Sequence, residues 1–157
     1  MPAKERPLDP VDIRILEILQ TNARTTASDI AATVGMSVPA VCERLRRLES
    51  TDVIEQYTAV LNGKKLGKGI MALMMVTLEV PSPANYEMFR ELVLAEQDIL
   101  ECYAVTGKYD YKIKIVTSST ASLEGLVLRV KAVSGGAKTN TCIVMSTVKS
   151  SSPVVLT

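Results

Sequence analysis

Three guanidinium groups crowd into four residues of this chain: Arg44, Arg46 and Arg47, in the run Glu43-Arg44-Leu45-Arg46-Arg47-Leu48-Glu49. Displayed on one helix face, such groups neutralise phosphates and donate to base edges. Ahead of them stand Ser37, Pro39 and Ala40, short enough to let a backbone approach another surface, with Ser37 suited both to capping a helix and to donating to a phosphate. A second group is Thr106-Gly107-Lys108-Tyr109-Asp110-Tyr111, with Tyr103 adding aromatic area. Gly107 permits a tight turn whose exposed amides can take a carboxylate, and an ionised Asp110 suits an ammonium group. By spacing alone, these residues read more simply as a structural hairpin, with Asp110 solvated and Lys108 a surface charge.

The residue types that are missing narrow the chemistry. The chain has no histidine, so the usual general base near neutral pH and the commonest metal ligand are absent. Cys42, Cys102 and Cys142 are odd in number and lie inside apolar patterns without ligand spacing, as buried thiols in a reducing cytosol would. No Ser or Cys nucleophile has a credible base beside it, and no glycine loop suits a phosphate. These features argue against an enzyme, a metal site and a cofactor. With 157 residues, 47% hydrophobic and 22% charged, the chain can bury one or two small cores. Eighteen Lys and Arg stand against 17 Asp and Glu, so net charge favours no partner. No apolar run is long enough for a membrane span, and the first ten residues lack a signal core, which predicts a soluble protein of the cytoplasm.

The elements that would position the two groups follow from caps and periodicity. Asp9, Pro10 and Asp12 start a helix that carries Ile13, Leu16 and Leu19 and stops at Thr21-Asn22. Thr26 and Asp29 start a short second helix, and Gly35 ends it. Ser37 launches a third over residues 38–50. At about 100° per residue, Val38, Val41, Cys42, Leu45, Leu48 and Glu49 share its inner side, Pro39, Ala40, Glu43, Arg46 and Arg47 point away, and Arg44 lies at the flank. A short helix, a glycine turn and a helix with a polar outer face form a helix-turn-helix. Residues 53–61 are β-prone and predict a small wing; residues 63–69, rich in Gly and Lys, read as a linker.

The remainder predicts strand, helix, strand, strand, helix, strand. An apolar run over 70–80 is followed by a helix marked by Tyr86, Phe89, Leu92 and Val93, a strand over 99–105 and an alternating strand over 109–117. Leu123, Leu126, Val127 and Val130 mark a second helix, and residues 141–148 the last strand. The fold class is α+β: a winged helix-turn-helix domain over 1–62, a linker over 63–69 and a ferredoxin-like βαββαβ domain over 70–157.

Taken in order, Leu8-Asp9-Pro10-Val11-Asp12-Ile13, Val34-Gly35-Met36-Ser37, the arginine run, Val53-Ile54-Glu55-Gln56-Tyr57, Gly107-Lys108-Tyr109-Asp110-Tyr111, Val144-Met145 and Val148-Lys149 resemble the Lrp/AsnC family of amino-acid-responsive regulators, over residues 8–155. The resemblance implies an N-terminal domain that binds double-stranded DNA and a C-terminal domain that senses an amino acid and pairs protomers through their sheets, with dimers often assembling into octamers. It also implies an effector held near the turn after the second strand of that domain, at an interface between protomers. The Gly-x-x-Asp-Tyr motif falls on Gly107, Asp110 and Tyr111. Because the only charged groups near the turn suit the ligand's own backbone, an uncharged aliphatic or thioether amino acid such as leucine or methionine is the expected effector.

DNA contacts are thus expected from Ser37, Pro39, Ala40, Glu43, Arg44, Arg46 and Arg47, and effector contacts from Thr106, Gly107, Lys108, Tyr109, Asp110 and Tyr111. Residues 1–62 carry seven basic against nine acidic side chains, so one such module binds weakly and two linked copies are needed. A ligand-independent architectural DNA-binding protein shares all of these features and is the competing reading.

Overall fold

The computed structural model describes residues 7–133, 135–150 and 154–156. Two compact units divide them: one takes the residues up to Val60 together with those from Lys149 onward, and the other runs from Leu61 to Val148.

In the first unit, capping decides where the helices begin. The Asp9 carboxylate accepts from the backbone N–H groups of Val11 and Asp12, and the Asp12 carboxylate accepts in return from the Asp9 amide, opening α1 over Pro10–Thr21. Thr26 caps α2, Ala27–Val34, and Ser37 caps α3, Val38–Ser50. Between them Gly35 turns left-handed, φ 68°, a conformation that glycine adopts without strain. Ile15, Leu16, Ile30, Ala31, Val41 and Leu48 close one core among the three helices. The inner side of α3 is narrower than its periodicity predicts, for Val38 and Glu49 are exposed.

The second unit carries β1 (Ile70–Leu78), α4 (Pro83–Ala95), β2 (Ile99–Ala104), β3 (Tyr111–Thr117), α5 (Thr120–Lys131) and β4 (Ala137–Ile143). All neighbouring strands are antiparallel in the order β2-β3-β1-β4. Ala72, Met74, Val76 and Leu78 of β1 and Ile113 and Ile115 of β3 pack with Phe89 of α4 and Leu123, Leu126 and Val130 of α5 in one core. Both helices therefore cover one face. The other face presents half-buried Met71, Leu73 and Met75 and the Lys114–Glu101 ion pair at 2.7 Å. Among the described residues, no helix is long and apolar enough to cross a membrane.

The structure differs in detail from the expectations at four places. The wing expected over 53–61 forms no strand: among the described residues its backbone joins no ladder, the Ile54 N–H instead donates to the Leu48 carbonyl of α3 at 3.0 Å, Val60 is 90% exposed, and the Tyr57 hydroxyl donates to Glu49 on α3. The segment read as a linker over 63–69 contains a single 3-10 turn, Gly63–Leu66, capped by Asn62 and closed at Gly67. The last strand, expected over 141–148, starts earlier and ends at Ile143. Its register runs from Leu78 opposite Ala137 to Ala72 opposite Ile143, so β4 stops two residues short of the start of β1 at Ile70. Finally, the end of the chain, assigned by sequence to the second domain, returns to the first unit. There the Val154 N–H donates to Gln20 Oε1 at 2.6 Å, the Gln20 amide donates to the Val154 carbonyl at 3.1 Å, and Leu156 packs on the helical core.

Candidate nucleic-acid interface and effector turn

The outward end of α3 is polar and open. Ser37 and Pro39 are exposed in its first turn, and Ala40, Glu43, Arg44 and Arg47, together with Met36, line a shallow depression on its flank. Arg46 stands out with its side chain 75% exposed, and its only ionic neighbour among the described residues is Glu43 at 3.6 Å.

The other two arginines are held. Arg44 Nη1 donates to Asp9 Oδ2 at 2.6 Å and to Asp12 Oδ1 at 2.7 Å, while Arg47 Nη2 donates to Asp12 Oδ2 at 2.5 Å. Arg47 is expected from the helical wheel to point away from the core; it is instead turned back toward the N-terminus of α1, leaving 28% of its side chain exposed, against 21% for Arg44. The Asp12 side chain is fully buried. A buried carboxylate is costly unless paired and hydrogen-bonded, and Asp12 is both, with the amide-rich start of α1 adding favourable potential. The Arg44 guanidinium and the Asp12 amide hold the Asp9 carboxyl down at about 2. For Asp12, burial pushes its carboxyl up, but the Asp9 amide and the two guanidiniums outweigh it, leaving it below the ordinary range. Asp9, followed by Asp12, raises the Arg44 guanidinium.

The second group gathers at the β2–β3 turn. Gly107 has φ 112°, and Thr106, Gly107 and Lys108 are exposed, with the Lys108 ammonium 5.4 Å from the centre of the Tyr109 ring. Asp110 is tied into the sheet: its Oδ2 accepts from the Leu78 N–H at 2.8 Å, its own N–H donates to the Val76 carbonyl at 2.9 Å, and its carbonyl accepts from the Val105 N–H. Solvation of Asp110 as a bare surface charge is therefore ruled out, since one carboxylate oxygen fastens the turn to the end of β1. Tyr111 turns inward, its ring centroid 4.4 Å from that of Phe89, and borders an open groove of about 610 Å³ between α4 and β2. Tyr103 lies elsewhere, its hydroxyl donating to Glu101.

The structure thus brings Thr106 to Tyr111 together in one turn, and Ser37 to Arg47 along one helix. The spacing of arginines did not disclose Asp9 and Asp12 as their partners. The available signal was an acidic capping pair ahead of a helix-turn-helix in which the arginines outnumber their own helix's acids.

An AsnC-type helix-turn-helix domain matches residues 8–49, and an Lrp/AsnC ligand binding domain matches residues 71–154. The chain belongs to the Lrp/AsnC family. A leucine-responsive regulatory protein of Haemophilus influenzae is 33% identical over 98% of this chain and 93% of its own length. A transcriptional regulator of Neisseria meningitidis, solved as a complex with L-methionine, superposes with TM-score 0.87 at 26% identity, covering 95% of this chain and 97% of that one. A feast or famine regulatory protein of Mycobacterium tuberculosis, also complexed with L-methionine, gives TM-score 0.82 at 27% identity over 92% and 96% of the two chains. Lrp/AsnC membership makes this chain a transcriptional regulator with a helix-turn-helix and a ligand-binding domain, not an enzyme.

Proposed function

We propose that this Lrp/AsnC regulator binds double-stranded DNA through α3, with Ser37, Pro39, Ala40, Glu43, Arg44, Arg46 and Arg47 at the contact, and that an uncharged amino acid such as methionine or leucine changes its assembly and thereby its DNA binding. The observation that carries the reading is the joining, in one chain, of a helix-turn-helix with an exposed arginine-bearing helix to a ligand-binding sheet of the same family. Phosphates attract the guanidiniums, and the exposed short residues at the start of α3 admit the backbone to the major groove.

The effector would sit at residues 106–111, where exposed amides suit a carboxylate and the second oxygen of Asp110 suits an ammonium group. L-methionine bound to the Neisseria meningitidis and Mycobacterium tuberculosis regulators supports that ligand class. Met71, Leu73 and Met75, half-buried on the uncovered sheet face, support pairing of protomers as a homodimer through their sheets, with dimers building an octamer in the cytoplasm. If the ligand is clasped better in one assembly than in another, it shifts the population of assemblies by that difference in affinity.

The experiment is sedimentation velocity of the full chain with each of the twenty amino acids, paired with footprinting on duplex DNA. Binding by uncharged amino acids should change both the sedimentation coefficient and the footprint length. The architectural alternative is favoured by one observation, the commitment of Asp110 to Leu78, and it requires a footprint that no amino acid alters.

A further inference from the structure

We infer that Asp12, a residue that cannot itself reach DNA, is the positioning residue that presents Arg44 and Arg47 of α3 to the duplex. The inference rests on the DNA-binding reading of α3 given above. Asp12 occupies the third position of α1, and its side chain is fully buried. Its two oxygens are divided: Oδ1 accepts from Arg44, and Oδ2 accepts from Arg47 and from the Asp9 amide at 3.1 Å. Arg44 and Arg47 stand one turn apart on α3, so a single carboxylate anchors two successive guanidiniums of the same face. Asp9 adds a second acceptor to Arg44 Nη1 and so fixes that side chain from two directions.

The anion is buried, while about a quarter of each arginine side chain remains open beside the depression lined by Met36, Ala40 and Glu43. Among the described residues, Arg44 donates only through Nη1 and Arg47 only through Nη2. A guanidinium has five N–H donors, so each keeps donors for a phosphate or a base edge. Holding a long side chain in one rotamer before contact removes an entropic cost from binding, and the fixed direction of the planar group favours one set of partners over others. The same carboxylates offset the charge of the arginines, which weakens indiscriminate attraction to any polyanion. Asp12 therefore acts on the ratio of specific to nonspecific affinity.

The test uses the full chain and two labelled duplexes of equal length, one selected by the wild-type chain from a random library and one of scrambled sequence. Asp12→Asn keeps the shape but replaces one acceptor with a donor that faces a guanidinium. Affinity for the selected duplex should fall roughly tenfold, while affinity for the scrambled one stays equal or rises, as expected when prepaid ordering is lost and a cation is uncovered. Parallel losses on both duplexes, or an unchanged ratio, would overturn the inference. Arg47→Lys, which keeps the charge and loses the planar fork, provides a second arm should Asp12→Asn unfold. It should lower the ratio by itself, and an unchanged ratio in a folded Arg47→Lys chain overturns the inference as well. A wild-type chain that enriches no sequence instead defeats the DNA-binding reading, and this inference with it.

Discussion

Arg46 and Arg47 are neighbours with different duties, and substitution should separate them. Arg46→Ala removes an exposed cation with one loose partner, so stability should stay within about 0.5 kcal/mol while the slope of log affinity for DNA against log salt loses about one unit. Arg47→Ala strips a partner from buried Asp12 and should cost about 2 kcal/mol in urea unfolding, a figure reduced from that of a fully buried pair because the arginine is partly exposed. Equal stabilities of the two variants would show that the clamp contributes nothing. The pH dependence follows from Asp9, whose carboxyl is held at about 2 by Arg44 first and by the Asp12 amide second. A depressed carboxyl contributes stability that is present above the unfolded-state value of about 4 and is lost as pH falls through the folded-state value. The first unit should therefore lose stability between about pH 4 and pH 2, and Arg44→Met should flatten that slope in acid titrations followed by circular dichroism. At this scale the sequence was legible where chemistry is local. Asp9, Thr26 and Ser37 are caps by type and position, and all three cap. It was not legible for Arg47, because a helical wheel assigns a direction from one helix, and the partner of Arg47 lies 35 residues away on another.

Elements begin where a cap sits and end where a neighbour or a conformation fails. Gly35 shows the second case. An added Cβ would meet nothing within 4 Å, so Gly35→Ala should cost only the backbone strain of φ 68°, about 1 kcal/mol in urea unfolding. A loss of several kcal/mol would point to a packing role that the geometry denies. Strand ends were less legible than helix starts because they depend on partners. The apolar character of residues 144–148 suits a strand, yet beyond Ile143 only the Val144 N–H finds β1, at the Met71 carbonyl, and Met145 and Val148 are left 95% and 99% exposed. The expected wing over 53–61 fails for the same reason: β propensity describes a surface that fits a sheet and supplies no second strand. The alternation of Ile113 and Ile115 with Lys112 and Lys114 was readable because both faces of β3 are decided by burial, against α4 and α5 on one side and open on the other.

At the scale of the whole molecule, the described residues form two cores that share no buried residue, one among α1, α2 and α3 and one beneath the sheet. Leu156 belongs to the first of these, though it lies at the far end of the chain. Leu156→Ala should lower the first unit by about 1 kcal/mol, roughly half the value of a fully buried leucine, and leave the second unit's transition in place in calorimetry. Movement of both transitions together would show the units to be one cooperative body. The order of elements, and with it the ferredoxin-like topology, was legible from periodicity; the return of the tail was not, since a short segment after the last strand carries no pattern that names its partner.

The proposed function requires that α3 bind duplex DNA and that the sheet domain adjust this binding to an amino acid. Fluorescence anisotropy of a labelled duplex, selected by the chain itself and titrated with the full chain at low and at physiological salt, with and without L-methionine or L-leucine, tests it directly. Binding should saturate, weaken steeply with salt, and shift its midpoint several-fold with one of these amino acids. No binding at low salt, or a midpoint that neither amino acid moves, would rule it out.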